Sequence, residues 1–406
     1  MPSEFSAGGR GERREKGQGT ERERKSTRYG PRMRGVAAFS PSKRWQLTSH
    51  SNPITDPTAN TYVIQFVKAP STRRVNLLPS FAVNPTKIPT PIPKDPTAPP
   101  LVVVGSANAD IYVEIDRLPG EGETISAKTG QTLAGGKGAN QAVCGGKLSY
   151  PTYFVGQVGE DAHGKLITDA LQGGGVLLDH LNTVSAAPTG HAVVMLQSDG
   201  QNSIIIVGGA NMSCWPETLS EEDLKLVRSA GIVLLQREIP DSVNIQVAKA
   251  ARNAGVPVIL DAGGVDAPIP QEMLILTDIL SPNESELARL TGMPTENIEQ
   301  ISNAVRKCHE MGIRQVLVKL GAKGSALFVE GEEPLIQPII SVPRVLDTTG
   351  AGDTFTAAFA VALVEGKSKK ECLRFAAAAA SLCVQVKGAI PSMPDRKSVL
   401  ELLQSV

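Results

Sequence analysis

From Leu101 onward the chain alternates short apolar runs with longer amphipathic segments, and that rhythm admits few folds. The runs "LVVVG" (101–105), "IVLLQ" (232–236), "VPVILDAG" (256–263), "DILSP" (278–282) and "QVLVKLG" (315–321) lack the alternation of a strand with one wet face. Each therefore predicts a strand buried on both sides. Segments 241–255 and 295–311 repeat apolar residues at intervals of three and four, which predicts helices. Strand and helix in turn imply an α/β fold, a Rossmann-like and mainly parallel sheet sandwiched by helices. In such a sheet ligands bind beyond the carboxyl ends of the strands. Two stretches break the rhythm: "ETISAKTGQTL" (123–133) and "GHAVVMLQSDGQNSIIIVGG" (190–209), the latter with a turn signal at Asp199-Gly200. They predict a small second β-sheet, with strands near 110–133 and 190–209, that closes as a lid over the site.

Residues 1–100 have no sustained periodicity and end in the Pro-rich "NPTKIPTPIPKDPTAPP". Such a segment buries too little apolar surface to offset its ordering entropy, so a disordered leader is predicted. It holds 17 Lys and Arg against 7 Asp and Glu, while 101–406 holds 24 against 34, so a +10 leader precedes a −10 body. An acidic body repels nucleic acid overall and leaves small anionic ligands possible. From Met33 to Thr55 there is no acid among the Arg, Lys, Ser and Thr, the pattern of a transit peptide. Glu4, Glu12, Glu15, Glu21 and Glu23 do not fit that pattern, which points to a translation start at Met33; a tail without an address is the alternative. Five cysteines in no CxxC or Cys/His spacing favour a reducing compartment and no metal cluster. "FAAAAASLCVQV" is too short to span a bilayer, so a soluble protein is expected.

Three stretches carry chemistry. "DTTGAGDTF" (347–355) runs into the apolar "TAAFAVALV" and so starts a buried helix. A helix start leaves amides unpaired and concentrates about half a positive charge, so Gly350 and Gly352 would admit a phosphate. Asp353 in that first turn is placed to orient a hydroxyl and accept its proton, with the helix end keeping it ionised; read alone, it is equally an N-cap. "GGKGANQA" (135–142) again leads into a helix and offers Lys137 and Asn140 to sugar hydroxyls; no Walker A spacing occurs in the chain. "GSANADIYVEIDRLPGEGE" follows the first strand with Asn108 and Asp110. Asp110 and Glu238 seen singly read as surface or capping acids, and Lys137 as a solvated loop charge.

"GSANAD", "GGKGANQA", "PNESE" and "DTTGAGDTF" together resemble the ribokinase branch of the PfkB family of sugar kinases, over essentially all of 101–406. The resemblance implies ATP-dependent phosphorylation of D-ribose at its 5-hydroxyl, with Mg²⁺ and a stimulating K⁺. It makes Asp353 the general base and Gly350, Ala351 and Gly352 the anion hole. It assigns the sugar to Asn108, Ala109, Asp110, Gly136, Lys137, Gly138, Ala139, Asn140 and Glu238. Asn283 and Glu286 match the element that arranges metal-bound phosphates through water. The nucleotide loop matches Lys319, Leu320, Gly321, Ala322, Lys323 and Gly324, and Ala377, where relatives often carry His, would pack beside adenine. A monovalent cation would lie among Asp347, Thr349, Cys383, Val386, Gly388 and Ser392, largely on carbonyls. Arg237 replaces a smaller apolar residue before Glu238 and alters how that strand end is solvated. The resemblance further implies a homodimer through paired lids, and the leader implies a chloroplast or other plastid, or the cytoplasm if it is no address. The alternatives are another PfkB kinase, acting on fructose, deoxyribose or a nucleoside, and a non-catalytic scaffold; the intact Asp353, Gly350, Gly352 and Lys137 argue against the scaffold.

Overall fold

The structure, a computed structural model, describes residues 98–198 and 202–406. The leader up to residue 97 and the Asp199-Gly200 turn lie outside the described residues. Thirteen strands are described: β1 (Leu101–Val104), β2 (Asn108–Ile115), β3 (Thr129–Gly135), β4 (Thr152–Gly159), β5 (Leu181–Val184), β6 (Gly190–Gln197), β7 (Asn202–Val207), β8 (Ile232–Arg237), β9 (Val258–Gly264), β10 (Ile279–Ser281), β11 (Gln315–Lys319), β12 (Ser325–Val329) and β13 (Leu335–Gln337).

Nine of them form one sheet in the order β13-β12-β11-β10-β9-β8-β1-β4-β5, parallel from β5 to β11 and antiparallel at the β11-β12-β13 edge. Successive residues of its central strands feed two separate cores. Leu101, Val103, Ile232, Leu234 and Ile259 face one, and Val102, Val104, Val233, Leu235 and Leu260 face the other. The uniformly apolar runs are thus period-two strands with helices on both faces. On the first face lie the helices Lys137–Lys147, Ala351–Val364 and Lys369–Cys383; on the second, Asp241–Asn253 and Ile298–Glu310. Ala357, Ala358, Ala360, Ala376, Ala378 and Ala379 are fully buried, and their small side chains let two helices pack closely.

The chain leaves β1 for β4 and β5 on one side and for β8 to β11 on the other. The crevice at this reversal, beyond β1 and β8, is where a ligand is expected. Over it stands a second sheet, β3-β2-β6-β7, with β2 and β6 parallel. Its strands depart from the sequence prediction. Residues 123–128 belong to no strand, because Gly122 takes a left-handed turn (φ 71°) and Arg117 grips Glu123 with two hydrogen bonds. The "NAD" stretch, by contrast, already belongs to a strand, since β2 starts at Asn108.

Candidate active site

A cavity of about 920 Å³ opens beyond β1 and β8 beneath the small sheet, lined among others by Asn108, Asp110, Gly136, Lys137, Asn140, Glu238, Asp347, Thr349, Gly350 and Asp353. Three motifs far apart in sequence therefore meet at one place.

The first wall is the head of the Ala351–Val364 helix. Gly350 is left-handed (φ 78°), and a methyl there would stand 2.9 Å from the Ala389 side chain, so glycine is required. No side chain caps this end. The Ala351 amide donates to Thr348 at 3.2 Å, whereas among the described residues those of Gly352 and Asp353 have no acceptor. The predicted anion hole thus has its free donors at 352 and 353 rather than at Ala351. Gly352 is exposed, and a methyl on it would meet only the Lys319 side chain, at an ordinary 3.7 Å. Glycine within a helix costs about 1 kcal/mol against alanine. Nothing among the described residues requires it here; a ligand approaching the amides would, so this end fits a phosphate.

Asp353 is buried in the first turn, and its carboxylate accepts from the Asn140 amide at 2.9 Å and from Gln141 at 3.5 Å. The N-cap is Gly350, so the capping role for Asp353 is replaced by a side chain turned into the cavity. Lys137 Nζ lies 3.8 Å away. Burial pushes the Asp353 carboxyl above the usual carboxylate range; Lys137 opposes this and the charge of Asp261 reinforces it. Burial thereby outweighs the helix end, which the sequence predicts would hold the group ionised.

The sugar-type groups form the second wall. Asn211 carries Asn108 on its own amide, at 2.7 Å, and pins Ala107 through both backbone atoms. Glu238 accepts from Ser106 at 2.6 Å and from the Lys137 amide at 3.2 Å. Gly136 (φ 90°) and Gly138 are needed for contact, since a methyl would come within 2.6 Å of the Asn108 amide and 2.7 Å of Ser106 respectively. Ala109 and Ala139 are fully buried packing residues that offer only backbone. Asp110 is pushed up to about 7 by burial, then by the charges of Glu238 and Asp353. Asn140 Oδ1 is buried with no hydrogen-bond partner among the described residues, so a hydroxyl donor in the cavity would satisfy it.

Lys137 stands between two carboxylates. Its ammonium pairs with Asp261 at 3.3 Å as well as with Asp353. Burial lowers its proton affinity, but the carboxylates of Asp261, Asp353, Glu286 and Glu238 outweigh that and keep it charged. Lys319, predicted for the nucleotide loop, turns its ammonium onto Asp261 at 2.6 Å. The rest of that loop, Leu320 to Gly324, is a tight turn closed by Leu320 on Gly324, and Lys323 donates to Glu296. Asn283 and Glu286, expected beside metal-bound phosphates, form a capping box on the Glu284–Thr291 helix. Ala377 sits inside the core.

The Asp347 carboxylate accepts from the Thr349 amide at 2.9 Å and the Gly388 amide at 2.8 Å, tying two loops together. The Cys383 thiol is spent on Ser392 at 3.0 Å, and Val386 is exposed. Both Asp347 oxygens are thus engaged by backbone amides. Among the described residues no cluster of His, Cys, Asp or Glu could hold a metal, and no helix is long and apolar enough to cross a membrane. Asp261 and Asn211 lie outside the quoted motifs, while Ser106 and Gln141 lie inside them without an assigned role. Of these only Asp261 has a legible signal, a carboxylate closing the apolar "VIL" run.

The family model for pfkB family carbohydrate kinases matches residues 99–396. The chain is 77% identical over 312 residues to the ribokinase of Arabidopsis thaliana, covering 76% of this chain and 82% of that protein. It is 36% identical over 304 residues to the ribokinase of Haemophilus influenzae, covering 75% and 98%. The structure of Arabidopsis thaliana ribokinase complexed with ribose and ATP aligns with a TM-score of 0.74 at 78% identity, over 76% of this chain and 99% of that one. By its fold and by these matches the chain belongs to the pfkB family of carbohydrate kinases, with its similarity running to the ribokinases.

Proposed function

We propose that the chain transfers the γ-phosphoryl group of ATP to the 5-hydroxyl of D-ribose, giving ribose 5-phosphate and ADP. The observation that carries this is Asp353, a buried carboxylate of raised proton affinity beside free helix amides at the cavity. The relative complexed with ribose and ATP supports both substrates. In the step, sugar O5 bonds to the γ-phosphorus, the bond to the bridging oxygen breaks with its electron pair leaving on ADP, and the O5 proton passes to Asp353. The proton moves late in a loose transition state, so Asp353 orients first and accepts second. The amides of Gly352 and Asp353 offset charge on the phosphoryl oxygens. Asp110 and Glu238 accept from ribose hydroxyls, while Asn108, Asn140, Lys137 and the Gly136–Ala139 backbone fix the ring.

Asn283 and Glu286 would reach the metal through water, since Mg²⁺ keeps most of its hydration; bound with ATP it would neutralise phosphate charge. K⁺ would rest on Asp347, Ser392 and the carbonyls of Thr349, Cys383, Val386 and Gly388, steadying the loop that carries Gly350. The Leu320–Gly324 turn would take the nucleotide, with Ala377 as packing. The sheet β3-β2-β6-β7 acts as a lid that excludes water. Its β7 edge exposes Ile204, Ile205, Ile206 and Val207, which supports pairing with a second lid; a sedimentation coefficient of a monomer would remove that reading. Composition alone supports the plastid leader, and a reporter carrying residues 33–100 that stays cytosolic would remove it.

The test is the full chain with Mg·ATP and a panel of ribose, deoxyribose, fructose and adenosine, with and without K⁺. Ribose is expected to turn over fastest and K⁺ to raise the rate. Turnover of adenosine or fructose with ribose inert would overturn the proposal.

Asp110 adds a pH signature. Between 3.8 and about 7 the folded protein holds a proton that the unfolded chain has released. This group's contribution to stability is therefore lost as pH rises through 7. Asp110→Asn is expected to melt above the unmodified protein at pH 8, to lose that advantage at pH 4, and to raise the KM for ribose about tenfold or more. Melting curves with an unchanged pH slope would contradict it.

A further inference from the structure

We propose that the Lys319 ammonium, held by Asp261, is the cation that meets the transferred phosphoryl group at the head of the Ala351–Val364 helix. The inference rests on the phosphoryl transfer argued above and adds a residue to it. Asp261 lies midway along β9 with no exposed side-chain surface, and it accepts from Lys319 at 2.6 Å, from Lys137 at 3.3 Å and from the Gly263 amide at 3.0 Å. Two ammonium groups share this one carboxylate. Lys137 has Asp353 as a second carboxylate, at 3.8 Å. Among the described residues Lys319 has no second carboxylate within ion-pair distance, and its stem crosses the open face of Gly352. A methyl on Gly352 would stand 3.7 Å from Lys319 Cδ and 3.9 Å from its Nζ. The ammonium thus borders the space that the free amides of Gly352 and Asp353 address.

The backbone fixes this placement. The Lys319 amide donates to Pro282 at 2.9 Å, and Lys319 bridges Asn283, so the strand end sits beside the Asn283–Glu286 pair. Asp261 also faces Thr356 at 3.4 Å, from within the same helix that carries Asp353. Asp261 is accordingly a positioning residue: it directs an ammonium that would otherwise turn to water. No bond is made or broken at Lys319; it keeps its three protons and offsets charge on the phosphoryl oxygens while O5 and the bridging oxygen exchange places on phosphorus.

A purely structural role, neutralising a buried carboxylate, makes different predictions. In the full chain, Lys319→Met is expected to lower kcat for ribose about 100-fold and to leave the KM for ribose within about threefold. In calorimetry it should also reduce the preference for ATP over ADP about tenfold, because only ATP presents the γ-phosphate. Asp261→Asn should reduce kcat and the same preference by about tenfold, since the ammonium loses its anchor. The double variant Lys319→Met/Asp261→Asn keeps the local charge balanced and folded, and its kcat should stay as low as that of Lys319→Met. Recovery of kcat and nucleotide preference in the double variant would assign Lys319 to neutralisation alone and overturn the inference, as would a Lys319→Met protein unchanged in both. If the unmodified chain phosphorylates no sugar, the functional reading fails, and the ATP-against-ADP comparison still reads the lysine separately.

Discussion

Asp353→Asn should fold, melt no lower than the unmodified protein at neutral pH, and turn over ribose about 10² to 10⁴ times more slowly. The three parts have one cause. The carboxylate is buried and its proton affinity is raised, so its ionised form costs stability that the neutral amide does not. That cost is present above the folded pKa and disappears at acid pH, so any gain in melting temperature should shrink as pH falls. The amide keeps the shape of the group and leaves Lys137 its other partner, Asp261, at 3.3 Å. What the amide lacks is an oxygen that can take the O5 proton. The KM for ribose should change by only a few-fold, because the other contacts proposed for the sugar are retained. Steady-state rates and thermal melts on the same preparation check both halves. A variant with an undiminished rate would remove Asp353 as the base, and one that loses rate only through unfolding would make it a structural residue.

How far such a site can be read from sequence depends on whether its residues announce themselves locally. The central strands do, because a parallel sheet covered on both faces demands apolar side chains at every position, as "LVVVG" and "IVLLQ" show. The Gly350-Ala351-Gly352-Asp353 head is legible as a helix start, which the structure contains, although the acid read alone is equally an N-cap. Stretch 123–128 misleads because Thr124 and Ile125 carry strand propensity, while the turn at Gly122 and the Arg117–Glu123 contact keep it out of a strand. Asn283 and Glu286 show both sides of the problem: their spacing is that of a capping box, which the structure contains, and the same spacing is also that of a phosphate-metal element. Asn211 is invisible locally. It holds Asn108 from more than a hundred residues away, and only the packing of the Gly209–Asn211 turn against β4 and β6 reveals it. Charge pairing is likewise tertiary, so Lys319 reads as a loop residue until Asp261 is found beneath it.

Arg237 gives the largest expected effect on stability, and it lies outside the cavity. The sequence places it at a strand end, beside Glu238, where it would change solvation; in the structure its side chain is 2% exposed and turned the other way. Its guanidinium donates to both Asp241 oxygens, at 3.1 and 2.7 Å, and to the carbonyls of Val265, Ala267 and Pro268 at 3.3, 2.5 and 3.2 Å. One side chain thus closes the loop after β9 against the helix that follows β8. The Val265 amide completes the clamp by donating to the Arg237 carbonyl at 2.8 Å. Gly264 (φ 127°) must be glycine there, since a methyl would lie 2.3 Å from that carbonyl oxygen. Arg237→Met would fill much of the volume but leave three carbonyls without their donor and Asp241 without its cation. Breaking a buried pair from one side costs about 3 to 5 kcal/mol, and for a domain of this size that corresponds to a melting temperature lower by roughly 5 to 10 °C. Asp241 sits in the first turn of its helix, where the backbone amides and water recover part of the loss, so the lower half of the range is favoured. Arg237→Lys should recover little, because an ammonium cannot span five acceptors in one plane. The loop that Arg237 closes follows directly on Asp261 and Gly263, so the same variant should slow turnover as well, by loosening the anchor beneath Lys319. Thermal melts of both variants decide the matter: a methionine variant that melts with the unmodified protein would show that water replaces the guanidinium at no cost, and the clamp would then be incidental to the fold.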